Sequence, residues 1–272
     1  MNLFIFQKKE YGRLYNCTNF HVEDVPLVSR QHIAESIVTI ILCAISYLLY
    51  IPCIYSISKH RAHACYKLLL YISIADCSIL WLLGFVHGFL GIYGAVYCSF
   101  PTFIYFAGIA VTAIWAAESV MEISLSVNRC LAILSPATEK MLFKGWRTHL
   151  WLSAATLYAI SWAWYLKPVL FTGIYFTWTF DPFIGYTTDT HHIYENFVHS
   201  VHDIANAIAV PSIYVIFFVL FTLKMRSYGQ TAGESVSKMQ IMLFLQIIII
   251  SSLNFAGCII MFMANTYLSM NF

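Results

Sequence analysis

Long apolar runs separated by short polar connections organise this sequence from residue 33 onward. They cover roughly residues 33–57, 68–93, 100–134, 150–171, 204–223 and 241–264. A helix needs ~20 apolar residues to cross the hydrocarbon layer of a bilayer, and each run is about that long or longer. A bilayer interior also offers backbone groups no water, so a spanning segment must satisfy its own hydrogen bonds as a helix. The pattern therefore predicts an all-α polytopic transmembrane helix bundle of six spans. A tail over residues 1–32 precedes a bundle over 33–264, and a short tail follows over 265–272. The third run is the longest and carries Glu118, Glu122 and Arg129, which predicts a tilted helix extending past the membrane. Pro211 in the fifth span and Lys167-Pro168 near the outer end of the fourth predict kinks.

Composition narrows the function classes. Of 272 residues, 60% are hydrophobic and 10% charged, which leaves too little polar surface for a water-soluble globule and makes the lipid bilayer the solvent. Little length remains for a separate catalytic domain, so the chain does not read as an enzyme and calls for no cofactor. A net charge of +2, spread over short connections, excludes nucleic acid as a partner. The apolar stretch at residues 3–6 is too short for a signal-peptide core and runs into Lys8 and Lys9, so the first span is expected to direct insertion.

Basic residues resist translocation, and here they alternate by connection. Lys59, Arg61 and Lys67, then Lys140, Lys144 and Arg147, then Lys224, Arg226 and Lys238 occupy one set of loops. The opposite loops, 94–99 and 172–203, contain no Lys or Arg. The first set is assigned to the cytosol and the amino terminus to the outside, against the mild opposing pull of Lys8, Lys9, Arg13 and Arg30. Asn16-Cys17-Thr18 is an acceptor sequence for N-glycosylation, a lumenal modification, and agrees with that orientation. Of eight cysteines only Cys17 and Cys98 fall clearly on the oxidising side, where they either pair or remain free thiols at the membrane edge.

Ionisable groups at mid-bilayer are costly and mark pathways or switches. At 100° per residue, Glu118, Glu122 and Arg129 share one stripe of the third helix, which predicts a central helix with its arginine near the cytosolic end. Helical rise places Asp76 and Glu118 at similar depth. Either they face each other around a proton or a cation, or each bonds neighbours such as Ser73, Asn128 or Asn254. Asp76, Glu118, Glu122 and Asn254 are thus the candidate intramembrane polar or cation site. In the long outer loop, His199, His202 and Asp203 would share a side if helical; the spacing is weak evidence for a metal, and no metal ligand set is assigned.

The residues then resemble a known family, the nematode serpentine receptors of class T, similar in plan to rhodopsin-like G-protein-coupled receptors. The resemblance is carried by Tyr50-x-Pro52-Cys53, Cys65-Tyr66-Lys67, Asp76, Cys98-x-x-Pro101, Trp115, Asn128-Arg129-Cys130 with Pro136, Leu142-Phe143-x-Gly145, Trp151, Asp181-Pro182, Tyr194-x-Asn196 and His199. It implies a chemoreceptor in the plasma or ciliary membrane. A small-molecule ligand would bind among the outer helix halves and a heterotrimeric G protein at the inner ones. Asn128, Arg129 and Cys130 would stand where related receptors carry an acid-Arg-Tyr switch, with Asn128 replacing the acid, and Asp76 where they hold a sodium ion. The family plan also has a seventh helix, whereas this sequence stops eight residues after the sixth span, which implies a receptor core cut short. A polytopic metalloenzyme using the outer histidines and a small cation-coupled transporter using the three acids are the alternatives.

Overall fold

The computed structural model describes residues 1–187 and 189–228. The sixth predicted span at 241–264, with Asn254 and Cys258, and the expectation about the chain's end lie outside those residues.

Among the described residues the architecture is helical with one small hairpin. Two short helices, α1 (Asn2–Ile5) and α2 (Lys8–Leu14), precede α3 (Ile33–Lys59). Next, α4 (Ala64–Leu80) passes through a π-helical segment, Trp81–Val86, into α5 (His87–Tyr93). Then come α6 (Pro101–Leu134), α7 (Pro136–Phe143), α8 (Arg147–Tyr165), strands β1 (Leu170–Thr172) and β2 (Thr177–Thr179), and α9 (Phe197–Tyr228). Among the described residues four stretches are long and apolar enough to cross a membrane: Ile33–Lys59, Ala64–Tyr93, Pro101–Ala132 and Phe197–Leu220.

Burial separates these spans by position. The apolar window of α6 is 56% buried while that of α3 is 6% buried, so α6 is the axis of the bundle and α3 presents most of its surface outward. Between them, α3 and α4 are tied by side-chain donors reaching backbone carbonyls. Cys43 Sγ donates to Leu80 O at 3.1 Å and the Tyr47 hydroxyl donates to Cys77 O. Both acceptors lie just before the π-helical turn. Side chains drawing carbonyls out of an α-helical ladder are a recognised cause of such widening. Gly84 in that turn packs on Cys43 so closely that an added Cβ would lie 2.3 Å from its sulfur.

The fourth predicted span needs correction. Its helix begins at Arg147 and ends at Tyr165, and the chain then becomes extended into the β1–β2 hairpin. Lys167-Pro168 does not kink a helix; it follows the helix end, because proline lacks the donor and disfavours helical backbone before it. Thr, Ser, Tyr and Trp residues also keep α8 out of the set of strongly apolar spans. The fifth run is likewise longer than predicted, since α9 starts at Phe197 and continues through Pro211. Its first turn is fixed by Asn196, whose Oδ1 accepts the His199 N–H at 3.2 Å.

Among the described residues two clusters form the core, one at the end of the bundle where α6 meets α7, called inner, and one at the end that carries the amino-terminal tail, called outer. The inner one gathers Leu68, Met121, Phe143 and Ala155, with Trp151 stacked on Phe143 at 5.2 Å. The outer one gathers Tyr15, Leu90, Tyr97, Tyr105, Phe171 and Trp178. The amino-terminal tail contributes to the outer cluster. The Tyr11 and Tyr97 hydroxyls lie 3.2 Å apart, Phe20 stacks on Phe183 at 4.1 Å, and the Tyr194 hydroxyl donates to Leu14 O at 2.7 Å. The hairpin is pressed against α6 at Gly108, where an added Cβ would lie 1.7 Å from Val169 O. Cys17 and Cys98 are bonded, with Cα atoms 5.6 Å apart and a sequence separation of 81, so the tail is covalently held to the start of α6.

Closing a loop of that length restricts the unfolded chain, an effect of typically 2–4 kcal/mol in soluble proteins. Cys17→Ser and Cys98→Ser are each expected to lower the unfolding temperature of detergent-purified protein. The double variant is expected to match either single one, because one bond is lost in all three; an additive loss would show that the sulfurs contribute separately.

Candidate functional site

Three polar sites lie along the bundle, at mid-depth, at the inner end and at the outer end. At mid-depth, the Tyr50 hydroxyl of α3 donates to Asp76 Oδ2 of α4 at 2.7 Å, and Glu118 of α6 lies within hydrogen-bonding reach of Asp76. Glu122, one turn along α6, adds its charge to the same neighbourhood. Three helices thus converge on two carboxyl groups. A hydrogen bond between two carboxyls needs a hydrogen between them or a cation in its place, and two carboxyls with a phenol offer hard oxygen ligands. Of the other neighbours expected for these acids, two have different partners and Asn254 lies outside the described residues. Ser73 Oγ donates to Leu69 O, and Asn128 is engaged elsewhere.

At the inner end, Asn128 is buried and its Nδ2 donates to Glu139 Oε1 of α7 at 3.0 Å. Arg129 lies beside the Cys65 thiol at the start of α4. Cys130 is half-buried beside them. The Ser126 and Tyr214 hydroxyls, 2.6 Å apart, couple α6 to α9 one turn outward. An acid is therefore present at this end, but it comes from α7 and pairs with the asparagine instead of the arginine.

At the outer end, Asn16 is exposed and its Oδ1 accepts from Thr18 N at 2.9 Å and Thr18 Oγ1 at 2.5 Å. It lies on the rim of an open cavity of about 340 Å³ lined also by Arg13, Asn19, Asp181, Asp189 and Tyr194. Asp189 is committed to the loop, accepting from Ile193 N and Tyr194 N. Asp181 accepts from Phe183 N at 2.9 Å. Burial pushes the Asp181 carboxyl up to about 6; the Phe183 N–H opposes that and Asp189 adds to it.

The sequence profile of the Serpentine type 7TM GPCR chemoreceptor Srt family matches residues 1–272. The chain belongs to that family. This Srt-family chain is accordingly an integral membrane protein of a chemosensory receptor family and not of an enzyme family. It is also similar to Serpentine receptor class T-55 of Caenorhabditis elegans, 27% identical over 194 residues, which are 71% of this chain and 52% of that relative. The chain thus spans about half the length of the curated relative it matches.

Within the Srt-family bundle the histidines predicted for an outer loop instead occupy the first turns of α9, where Asn196 starts the helix. His199 Nε2 is 3.5 Å from Asp203 Oδ2, and His202 Nδ1 is 3.1 Å from the Tyr158 hydroxyl of α8. Trp115 of α6 sits over both rings, at 4.7 Å from His199 and 4.8 Å from His202. Among the described residues no group of three His, Cys, Asp or Glu side chains is placed to hold a metal ion. Asn254, the remaining member of the predicted polar site, lies outside the described residues.

Residue-by-residue reading singled out neither Glu139 nor Tyr214. Glu139 carried a readable signal, being the acid in the first turn of the short α7 helix opened by Pro136. Tyr214 carried none, because nothing in its local spacing shows which helix faces Ser126.

The Asp181 carboxyl yields a pH prediction. Its folded-state value is above the usual 3.8, so the folded chain holds this proton more tightly and loses stability as pH rises from about 4 to about 6. Asp181→Asn is expected to raise the unfolding temperature at pH 7 and to flatten its dependence over that window. An unchanged slope would contradict the burial assigned to this group.

Proposed function

We propose that this chain is a chemoreceptor that binds a small molecule among the outer halves of its helices and passes the signal to a heterotrimeric G protein. Membership of the Srt family over the whole chain carries this reading. In it, residues 1–32 form an extracellular tail, residues 33–264 the receptor bundle and the basic connectors the cytosolic face, in a plasma or ciliary membrane. Asn16 carries a glycan, and the Cys17–Cys98 bond holds the tail over the mouth.

The chain exchanges between two helix packings of similar free energy, and ligand shifts the balance by binding one of them better. Arg129 is the inner switch. Its contact with Cys65 and the neighbouring Asn128–Glu139 bond hold the inner ends of α4, α6 and α7 together. A neutral thiol is a weak partner for a guanidinium, so this restraint is easier to release than a salt bridge. Released, the planar fork of Arg129 is suited to donating to carbonyl or carboxylate oxygens of a docked partner. Asp76 and Glu118, bridged by a proton or small cation, stabilise one of the two packings at mid-depth.

The test uses cells expressing the chain with a G-protein-linked reporter and challenged with a chemical panel. At least one compound is expected to elicit a signal that Arg129→Ala abolishes while surface expression is retained. A response unchanged in Arg129→Ala removes that residue from the role, and silence of the wild-type chain to the whole panel counts against the receptor reading itself.

A further inference from the structure

A patch of buried polar atoms on α9 has no hydrogen-bond partner. His199 Nδ1, His202 Nε2 and Asn206 Nδ2 are all enclosed and unpaired. The residues themselves are deep, with His199 only 6% exposed and Asn206 9%. Positions 199, 202, 203 and 206 recur at three- and four-residue spacing, which sets them on one face of α9. That face meets aromatic walls from three other elements. Trp115 comes from α6, Trp162 from α8 at 4.9 Å from His202, and Phe180 from the outer loop at 5.0 Å from His199.

Unpaired buried polar atoms are rare in native proteins and ask for a reason, because each forfeits its hydrogen bonds to water. Here three occur within two helical turns of one helix, beside Tyr15 Oη, His32 Nε2, Ser36 Oγ and Tyr105 Oη, which are unpaired on other elements among the described residues. We infer that this face is the ligand-recognition surface, and that the ligand is a small uncharged molecule with a hydrogen-bonding hydroxyl or amide group on an apolar body. The inference rests on the receptor reading above and specifies the site and the chemistry it selects.

The donor and acceptor inventory sets the class. With Nε2 turned to Asp203, the His199 ring leaves Nδ1 as an acceptor for a ligand donor. Asn206 Nδ2 is a donor that needs a ligand acceptor, and His202 Nε2 serves in either role while Nδ1 faces the Tyr158 hydroxyl. A hydroxyl or amide supplies both complements at once. A carboxylate would meet the Asp203 charge, and an ammonium would compete with His199 for it. A purely apolar molecule would leave the polar atoms as they are. The indole and phenyl walls of Trp115, Trp162 and Phe180 take the apolar body.

The test is made on the full chain purified in lipid nanodiscs, with four probes of one shape: benzyl alcohol, benzylammonium, benzoate and toluene. Saturable binding is read by saturation-transfer NMR and by quenching of tryptophan fluorescence. Benzyl alcohol is expected to bind best. Asn206→Leu is expected to weaken it about tenfold, the effect of one unmade buried hydrogen bond. It is also expected to raise the unfolding temperature of the ligand-free protein, because an unpaired buried donor is replaced by an apolar group. His199→Phe, which keeps the ring and removes the acceptor, serves as the second variant should Asn206→Leu fold poorly, and it too should weaken benzyl alcohol alone.

Equal binding of toluene and benzyl alcohol, preference for either charged probe, absence of saturable binding, or a folded Asn206→Leu protein that is less stable than the parent would each overturn the inference. Binding is read without a G protein, so a failure here is distinguishable from a failure of the Arg129 experiment.

Discussion

Water is missing from the middle of this molecule, and every polar group threaded through the bilayer has to find its partner in protein. Serine and threonine solve the problem locally. Ser73, Thr112, Ser119 and Ser124 each donate to a carbonyl four residues back on their own helix, so they cost the bundle little. Groups with larger demands are paired between helices, and those pairings decide which helices touch. Tyr50 to Asp76, with Glu118 alongside, joins α3, α4 and α6. Ser126 to Tyr214 joins α6 to α9, and Tyr47 and Cys43 to carbonyls of α4 accompany the π-helical turn. In lipid, where apolar side chains gain nothing by leaving one hydrocarbon for another, such bonds and close packing at small residues such as Gly84 and Gly108 replace the hydrophobic drive of a soluble core.

The same constraint gives the three polar levels different characters. The mid-depth acids and the inner Asn128–Glu139 pair are satisfied within the chain. The outer level is not, and His199, His202 and Asn206 keep unused valences beneath aromatic walls. Over that level lies a cover built from the amino-terminal tail and the loop between α8 and α9, fastened by a disulfide, stacked rings and tyrosine hydroxyls. The unpaired polar atoms of the His199–Asn206 face and the contact between Arg129 and Cys65 lie toward opposite ends of the central helix, α6.

Much of this was readable from the residues because a single property, length of apolar run, determines the spans. The run at 100–134 coincides with α6 (Pro101–Leu134), and Glu118 and Arg129 of that helix lie beside Asp76 and Cys65 of the neighbouring α4. Hydropathy failed where another force set the boundary. It carried the fourth helix to residue 171, although Pro168 and a hairpin end it at Tyr165, and it began the fifth at 204, although Asn196 starts α9 in front of His199. The contact partners were less legible still. Asp76 and Glu118 could be matched by depth, but Tyr50 as a donor, Tyr214 against Ser126 and Trp115 between two histidines depend on how helices are rotated against each other. Rotation comes from packing of all the helices together and leaves no mark in the spacing along any one of them.

The account stands on the direction in which the chain is threaded, because that alone makes the His199–Asn206 face an outer surface and Arg129 an inner one. An epitope inserted beside Lys144, probed with antibody on intact and then permeabilised cells, reads that direction most directly. Staining only after permeabilisation is the predicted result. Staining of intact cells would put the basic connectors outside, invert the assignment of ligand and G-protein faces, and contradict the account.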